Sequence, residues 1–214
     1  MRNDILVFAT TDHPLYKTLS DLDFLNHEKI DREKLKYIFD FSLERSVDKK
    51  ARYTKILKDY SLPFFCDLST VNGEDFLKEF PNIQGGFAAS FYSPNNTIEA
   101  FANTDENFLV MESLFTQIQL KIERVKSPGF GFVFPRIVSM IINEAYFALD
   151  EYLATENNID IAMKFGVNYP LGPFEWSRKI GAKSVLYLLE ELFASTQDGR
   201  YLPAKGLKEA KERL

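Results

Sequence analysis

The chain has 214 residues, is 45% hydrophobic and contains 20 Phe, 10 Tyr and one Trp, which predicts one or two folded domains rather than a disordered chain. Its net charge of −5 shows no basic excess and disfavours a nucleic-acid partner. A single cysteine, Cys66, excludes an internal disulfide, and two histidines, His13 and His27, disfavour a zinc site. No apolar run reaches the roughly 18 residues that a membrane span needs, and the N-terminus is too short and acidic for a signal peptide. We therefore expect a cytoplasmic protein without a membrane partner.

The first half of the chain alternates short apolar runs of strand length with charged segments of helical pattern. The predicted strands are Asp4 to Thr10, Leu35 to Ser42, Leu62 to Leu68, FAASFYSP, TIEAFAN and LKIERVK. The predicted helices are SVDKKARYTKILKDY and Phe108 to Ile118. Alternation of this kind favours βαβ units and a mainly parallel sheet.

The second half has the apolar period of helices. Arg136 to Ala154 is predicted to be a long helix, and Thr155 is the expected N-cap of a second one that ends at Gly166. The loop NYPLGPFEW, residues 168 to 176, precedes a third helix, SVLYLLEELFASTQ, and a short charged one near the C-terminus. The expected boundary lies near Ser127, which gives domains 1–127 and 128–214.

Motifs in the second half resemble the C-terminal domain of 3-hydroxyacyl-CoA dehydrogenases. In order they are P-G-F with an arginine opening a helix, N-E-A, I-D-x-A-M-K-x-G, Y-P-x-G-P-F-E and the tail DGRYLPAKGLK. In that family the domain is a helical dimerisation unit whose surface closes over acyl-CoA. The resemblance implies an α/β plus all-α fold, in which a small Rossmann-like, mainly parallel sheet domain precedes a helical dimerisation domain.

The resemblance extends more weakly into the first half, where it places the positions of the reaction centre. The family oxidises a 3-hydroxyl by hydride transfer to NAD, with a histidine base, a glutamate that orients it and an asparagine. FAASFYSP matches the segment G-M-H-F-F-N-P, so Ser90 stands at the histidine position. Ala102 stands at the glutamate position and Pro135 at the asparagine position. Glu99 is three residues from Ala102, and such a slip along a strand points its side chain to the opposite face.

The turn after the first strand also differs from the dinucleotide-binding motif. Dinucleotide binding uses G-x-G-x-x-G between the first strand and helix, whereas ATTDHPLYKTL contains no glycine and places Asp12 near the expected phosphates. We therefore expect no cofactor, although the family's cofactor is NAD. His13 and His27 match no family motif and are expected to be surface or loop residues.

The resemblance places seven residues at the cleft between the domains: Ser69, Ser90, Phe91, Tyr92, Tyr169, Pro170 and Phe174. Two of the C-terminal helices are too apolar to serve one small core, and apolar surface of this kind marks an interface. We therefore expect a homodimer through Met140, Ile141, Phe147, Leu149, Tyr187, Leu188, Leu192 and Phe193.

Three functions stay open. The first is a non-catalytic acyl-CoA-binding or regulatory homodimer. The second is an active 3-hydroxyacyl-CoA dehydrogenase. The third is new chemistry that uses Ser69, Ser90, Cys66 or Tyr92, for which the sequence shows no base beside the nucleophile.

Overall fold

A computed structural model describes residues 4–27, 32–91 and 95–211. The chain divides into two compact units, Met1–Phe132 and Val133–Leu214. The division falls after Phe132, a few residues beyond the expected boundary near Ser127.

The first unit contains a six-stranded sheet in the order β1-β2-β3-β4-β5-β6. Its strands are β1 (Ile5–Ala9), β2 (Tyr37–Phe41), β3 (Phe64–Asp67), β4 (Ile83–Phe87), β5 (Thr97–Ala102) and β6 (Lys121–Arg124). All neighbours pair in parallel except β4 and β5, which are antiparallel. The predicted first strand and the mainly parallel sheet are thereby confirmed.

Four helices cover the two faces of this sheet: α1 (Tyr16–Asp21), α2 (Ser46–Asp59), α3 (Gly73–Glu79) and α4 (Asp105–Gln117). Leu19 of α1 and Met111 of α4 belong to the apolar cluster on one face. Tyr53 of α2 and Phe76 of α3 belong to the cluster on the other face. The neighbouring strands β1 and β2 therefore send their following helices to opposite faces, and in open α/β sheets such a point forms a crevice at the carboxyl ends of the strands.

Helix α1 was not predicted, and two further elements of the first unit differ from the prediction. FAASFYSP was expected to be a strand, but β4 ends at Phe87, and Ala89–Phe91 form a 3₁₀ turn. The apolar run fitted either structure, because a short buried run has no diagnostic period. Helix α3 was not predicted; Asn72 is its N-cap and accepts a hydrogen bond from the amide of Asp75 at 3.3 Å.

The second unit is helical. It contains α5 (Phe134–Asp150), α6 (Glu156–Gly166), α7 (Pro173–Ile180), α8 (Ala182–Thr196) and α9 (Lys205–Ala210). Thr155 caps α6, and α6 ends at Gly166, as predicted. The stretch NYPLGPFEW is a loop only as far as Gly172, because α7 begins at Pro173. The fixed φ of proline suits the first turn of a helix.

Candidate functional site

The segments that follow β1 and β2 contact each other at the carboxyl edge of the sheet. Thr10 follows β1, and its hydroxyl accepts a hydrogen bond from the amide of Leu43, which follows β2, at 2.9 Å. His13, in the segment between β1 and α1, is 3% exposed, and its Nε2 lies 3.1 Å from Oδ2 of Asp67 at the end of β3. His13 is therefore a loop residue, as one part of the expectation had it, but it does not lie on the surface. Its partner is 54 residues away, so no local pattern in the sequence indicates the contact.

Asp67 lies at the centre of a buried polar cluster. Its Oδ1 accepts hydrogen bonds from the amide of Ser69, at 2.8 Å, and from the hydroxyl of the same residue. Its Oδ2 accepts from His13 and from Ser90, whose amide and hydroxyl lie at 2.7 Å and 2.8 Å. Burial by itself raises the pKa of Asp67, but the hydrogen bond from His13, the charge of Lys49 and the hydrogen bond from Ser69 outweigh burial and lower it to about 2.

Both ring nitrogens of His13 are engaged. Nδ1 accepts a hydrogen bond from the amide of Leu15 at 3.1 Å, so Nε2 carries the proton that is donated to Asp67. A histidine with this tautomer and these partners has no lone pair available to a substrate hydroxyl. In this arrangement His13 cannot act as a general base.

Lys49 and Asp40 continue the buried polar cluster around Asp67. Lys49 is fully buried, and its Nζ donates to the backbone oxygens of Ser42 and Asp67, each at 2.7 Å. It also lies 3.9 Å from Oδ2 of Asp40, which accepts from Arg52 at 2.6 Å and from the Tyr53 hydroxyl at 2.6 Å. Burial opposes ionisation of Asp40, but Arg52 and Lys49 outweigh it and hold its pKa below the usual value.

Cys66 is buried beside this network, and burial raises the pKa of its thiol to about 12. Such a thiol is not nucleophilic at neutral pH. Among the described residues, no three His, Cys, Asp or Glu side chains form a group that could hold a metal ion.

In the second unit, Asp160 of α6 organises the loop before α7. Its Oδ1 accepts a hydrogen bond from the amide of Phe174 at 2.8 Å. A Cβ on Gly172 would lie 2.2 Å from the same oxygen, so the close approach requires glycine. Lys164, one turn after Asp160, pairs with Glu175 at 2.5 Å, and Glu175 accepts from the amide of Gly172 at 2.9 Å. The motifs I-D-x-A-M-K-x-G and Y-P-x-G-P-F-E are therefore partners in one helix junction.

Other motif residues of this unit also hold the fold together. Asn143, of N-E-A, donates to the carbonyl of Leu202 at 2.9 Å and accepts from the amide of Ala204 at 2.9 Å. Asp150 accepts from the amide of Gly206 at 2.9 Å, near the start of α9. These contacts fix the C-terminal segment on α5.

The outer side of α5 and α6 forms an apolar groove of about 430 Å³. Its lining residues are Met140, Ile141, Glu144, Ala145, Ala148, Ile159, Met163 and Pro173. Two of the residues expected at a dimer interface, Leu188 and Leu192, are instead completely buried. The other six, Met140, Ile141, Phe147, Leu149, Tyr187 and Phe193, are half-buried.

Comparison with known proteins agrees with these motifs. Residues 131–213 match the family model of the 3-hydroxyacyl-CoA dehydrogenase C-terminal domain. The C-terminal unit is therefore similar to the C-terminal domain of the 3-hydroxyacyl-CoA dehydrogenases. The 3-hydroxyadipyl-CoA dehydrogenase of Escherichia coli is 44% identical over 79 residues, which are 37% of this chain and 17% of that protein. The 3-hydroxybutyryl-CoA dehydrogenase of Bradyrhizobium diazoefficiens is 36% identical over 106 residues, which are 50% of this chain and 36% of that protein. The matched part of the chain therefore covers at most 36% of the length of these two relatives.

Solved dehydrogenase structures show the same fold over a larger part of the chain. The 3-hydroxybutyryl-CoA dehydrogenase of Escherichia coli superposes with a TM-score of 0.59 at 25% identity, over 70% of this chain and 31% of that one. The (S)-3-hydroxybutyryl-CoA dehydrogenase of Ralstonia eutropha gives a TM-score of 0.64 at 19% identity, over 96% of this chain and 92% of that one. The latter likeness concerns the fold alone.

The structure shows what surrounds the three positions that the resemblance assigns to the reaction centre of the dehydrogenases. Ser90 lies in the 3₁₀ turn, hydrogen-bonded to Asp67 rather than to Glu99 or directly to a histidine. Ala102 lies in the same apolar cluster as Ile98 and Ala100. Glu99 is out of phase with these three along β5 and points to the other face, as expected. Pro135 occupies the first turn of α5 and is buried.

The seven residues expected at the dehydrogenase cleft fall into separate groups. Asp67 brings Ser69 and Ser90 together, Phe91 is buried beside Ser90, and Tyr92 lies outside the described residues. In the second unit, the ring of Tyr169 packs 5.6 Å from that of Trp176 and Pro170 is exposed. Phe174 is 1% exposed and packs 5.0 Å from the ring of Tyr146. A shared cleft between the two groups stays a prediction.

In the described part of the chain, no helix is long and apolar enough to cross a membrane.

Proposed function

We propose that the protein is a non-catalytic member of the 3-hydroxyacyl-CoA dehydrogenase family, which acts in the cytoplasm as an acyl-CoA-binding or regulatory homodimer. The observation that carries the proposal is the state of His13, whose two ring nitrogens are both engaged inside the protein. The reaction needs a group that takes the proton of a hydroxyl near neutral pH. Ser90 cannot supply it, because a serine hydroxyl is far too weak a base near neutral pH.

The turn after β1 supports the expectation that the protein does not bind NAD. A dinucleotide needs backbone amides and open space after the first strand, where a glycine-rich turn normally lets the pyrophosphate approach. Here the amide of Leu43 donates to the Thr10 hydroxyl, which joins the segments after β1 and β2, and the side chain of His13 in the turn after β1 is buried.

The apolar face of the second unit supports the homodimer. Of the ten large hydrophobic side chains that are exposed among the described residues, seven lie between residues 133 and 167. They are Val133, Ile137, Tyr152, Leu153, Ile161, Phe165 and Val167. Apolar surface concentrated in this way marks an interface more often than a free surface. We place the dimer contact on α5 and α6 rather than on α8, because Leu188 and Leu192 of α8 have no exposed surface.

One observation favours the alternative, an active dehydrogenase. His13 and Ser90 bind the same oxygen of Asp67, so a single carboxylate oxygen connects a histidine to the family's histidine position. If His13 turned away from Asp67, Nε2 would become available near Ser90. The alternative predicts turnover that disappears in Ser90→Ala and His13→Gln while both variants remain folded.

Three measurements on the full-length protein test the proposal. Oxidation of NADH with acetoacetyl-CoA should stay at the background rate, and any turnover that Ser90→Ala abolishes would establish the alternative. Calorimetric titration with acetyl-CoA and longer acyl-CoA should show binding, and no heat at millimolar ligand would leave only a regulatory role. Light scattering should report a dimer of the 24.7 kDa chain. Phe165→Asp should yield a monomer, whereas Val47→Asp, which changes an equally exposed residue of the first unit, should not.

A further inference from the structure

Five hydrogen-bond donors from three segments surround the Asp67 carboxylate. They are the imidazole Nε2 of His13, the amide and hydroxyl of Ser69, and the amide and hydroxyl of Ser90. The three donor residues are each at most 3% exposed, so water does not compete for these bonds. We call these five donors the carboxylate cage.

The composition and position of the carboxylate cage are those of an anion site. All five groups donate to the carboxylate, and two of them are backbone amides, which no change of protonation can remove. It lies at the carboxyl end of β3, the edge of a parallel sheet at which open α/β proteins place their ligands. The carboxylate inside it is that of Asp67, which a single methylene group joins to the backbone.

We infer that the carboxylate cage is a binding site for a small carboxylate and that Asp67 fills it as an internal ligand. This inference does not rest on the proposed function, since it concerns the contacts of Asp67 alone. While Asp67 is in place, each of its oxygens already accepts at least two hydrogen bonds, and no external anion can use the cage.

Removal of the internal ligand should expose the site to an external one. Asp67→Ala deletes one carboxyl carbon and two oxygens and leaves the methyl group of alanine. The deleted atoms are the heavy atoms of formate, so formate can supply the same two oxygen acceptors to these donors. Formamide has nearly the same shape, but it is neutral and offers one oxygen and an NH₂ group to a set of donors, so it should bind far less well.

The test is thermal unfolding of full-length Asp67→Ala in formate, formamide or chloride. Formate at about ten times its dissociation constant should raise Tm by roughly 4 °C. Chloride at equal ionic strength and formamide at equal concentration should give no comparable rise. The wild type, whose cage is filled, and Leu19→Ala, a buried apolar truncation in the same unit, should not respond specifically to formate.

A second variant identifies the donors. Asp67→Ala combined with Ser90→Ala lacks one hydroxyl of the cage and should require about tenfold more formate for the same rise in Tm, since a hydrogen bond to a charged group is lost. Should Asp67→Ala be unfolded, formate should restore its helical circular dichroism, and chloride should not. The inference is overturned if formate acts no more strongly than chloride in both measurements, or if the combined variant responds as Asp67→Ala does.

Discussion

Substitution of Gly172 by alanine tests the helix junction of the second unit. Gly172 has φ −75° and ψ 161°, a conformation that alanine adopts without strain. The added Cβ would nevertheless lie 2.2 Å from Oδ1 and 2.4 Å from Cβ of Asp160, which is 4% exposed. Asp160 must therefore move and give up its hydrogen bond to the amide of Phe174.

The expected cost follows from these two effects. A buried amide left without its acceptor costs about 1–3 kcal/mol. Overpacking of a tight site costs about 1–3 kcal/mol more. We expect Gly172→Ala to lower the free energy of unfolding by about 3 kcal/mol, which corresponds to a loss of about 10 °C in Tm.

Fluorescence provides a local assay, because Trp176 is the only tryptophan of the chain and lies in α7. Urea unfolding followed at this residue reports on the second unit. Gly166→Ala is the matched control: no atom lies within 4 Å of its added Cβ, so it should be neutral or slightly stabilising. In an Asp160→Gly background all three side-chain atoms that the added Cβ would meet are absent, and Gly172→Ala should then cost less than about 1 kcal/mol. An equal cost in both backgrounds would refute the steric explanation.

Two further predictions concern buried ionisable groups of the first unit. The folded-state pKa of Asp67 is about 2 against an ordinary 3.8, so its ionised form stabilises the fold above about pH 4, and about 2 kcal/mol of stability is lost as the pH falls from about 4 to about 2. Urea midpoints of the wild type and Asp67→Asn should therefore converge over that interval, and a constant difference would contradict the lowered pKa. Cys66, with a pKa of about 12 and no exposed surface, should not react with iodoacetamide in the native protein at pH 8, but should react fully in urea. Rapid labelling of the native protein would show that β3 opens easily.

The sequence by itself predicted most of the elements, because their signals are local. The run ILVFA gave β1, the apolar period of RIVSMIINEAYFALD gave most of α5, and Thr155 marked the start of α6. Spaced motifs also identified the family of the second unit. The strand prediction for FAASFYSP failed, because a short apolar run is compatible with both a strand and a buried turn.

Only the tertiary structure decided what the polar residues do. His13, Asp67 and Ser90 come from three separate segments, and they meet because β1, β3 and β4 end at the same edge of the sheet. Nothing in ATTDHPLYKTL indicates that its histidine is buried, since the contact depends on the order of the strands. The same holds for Asp160 and Gly172, whose spacing the sequence displays but whose 2.2 Å approach depends on how α6 meets α7. Local chemistry therefore determined the elements, and the packing of distant segments determined which donors and acceptors satisfy one another.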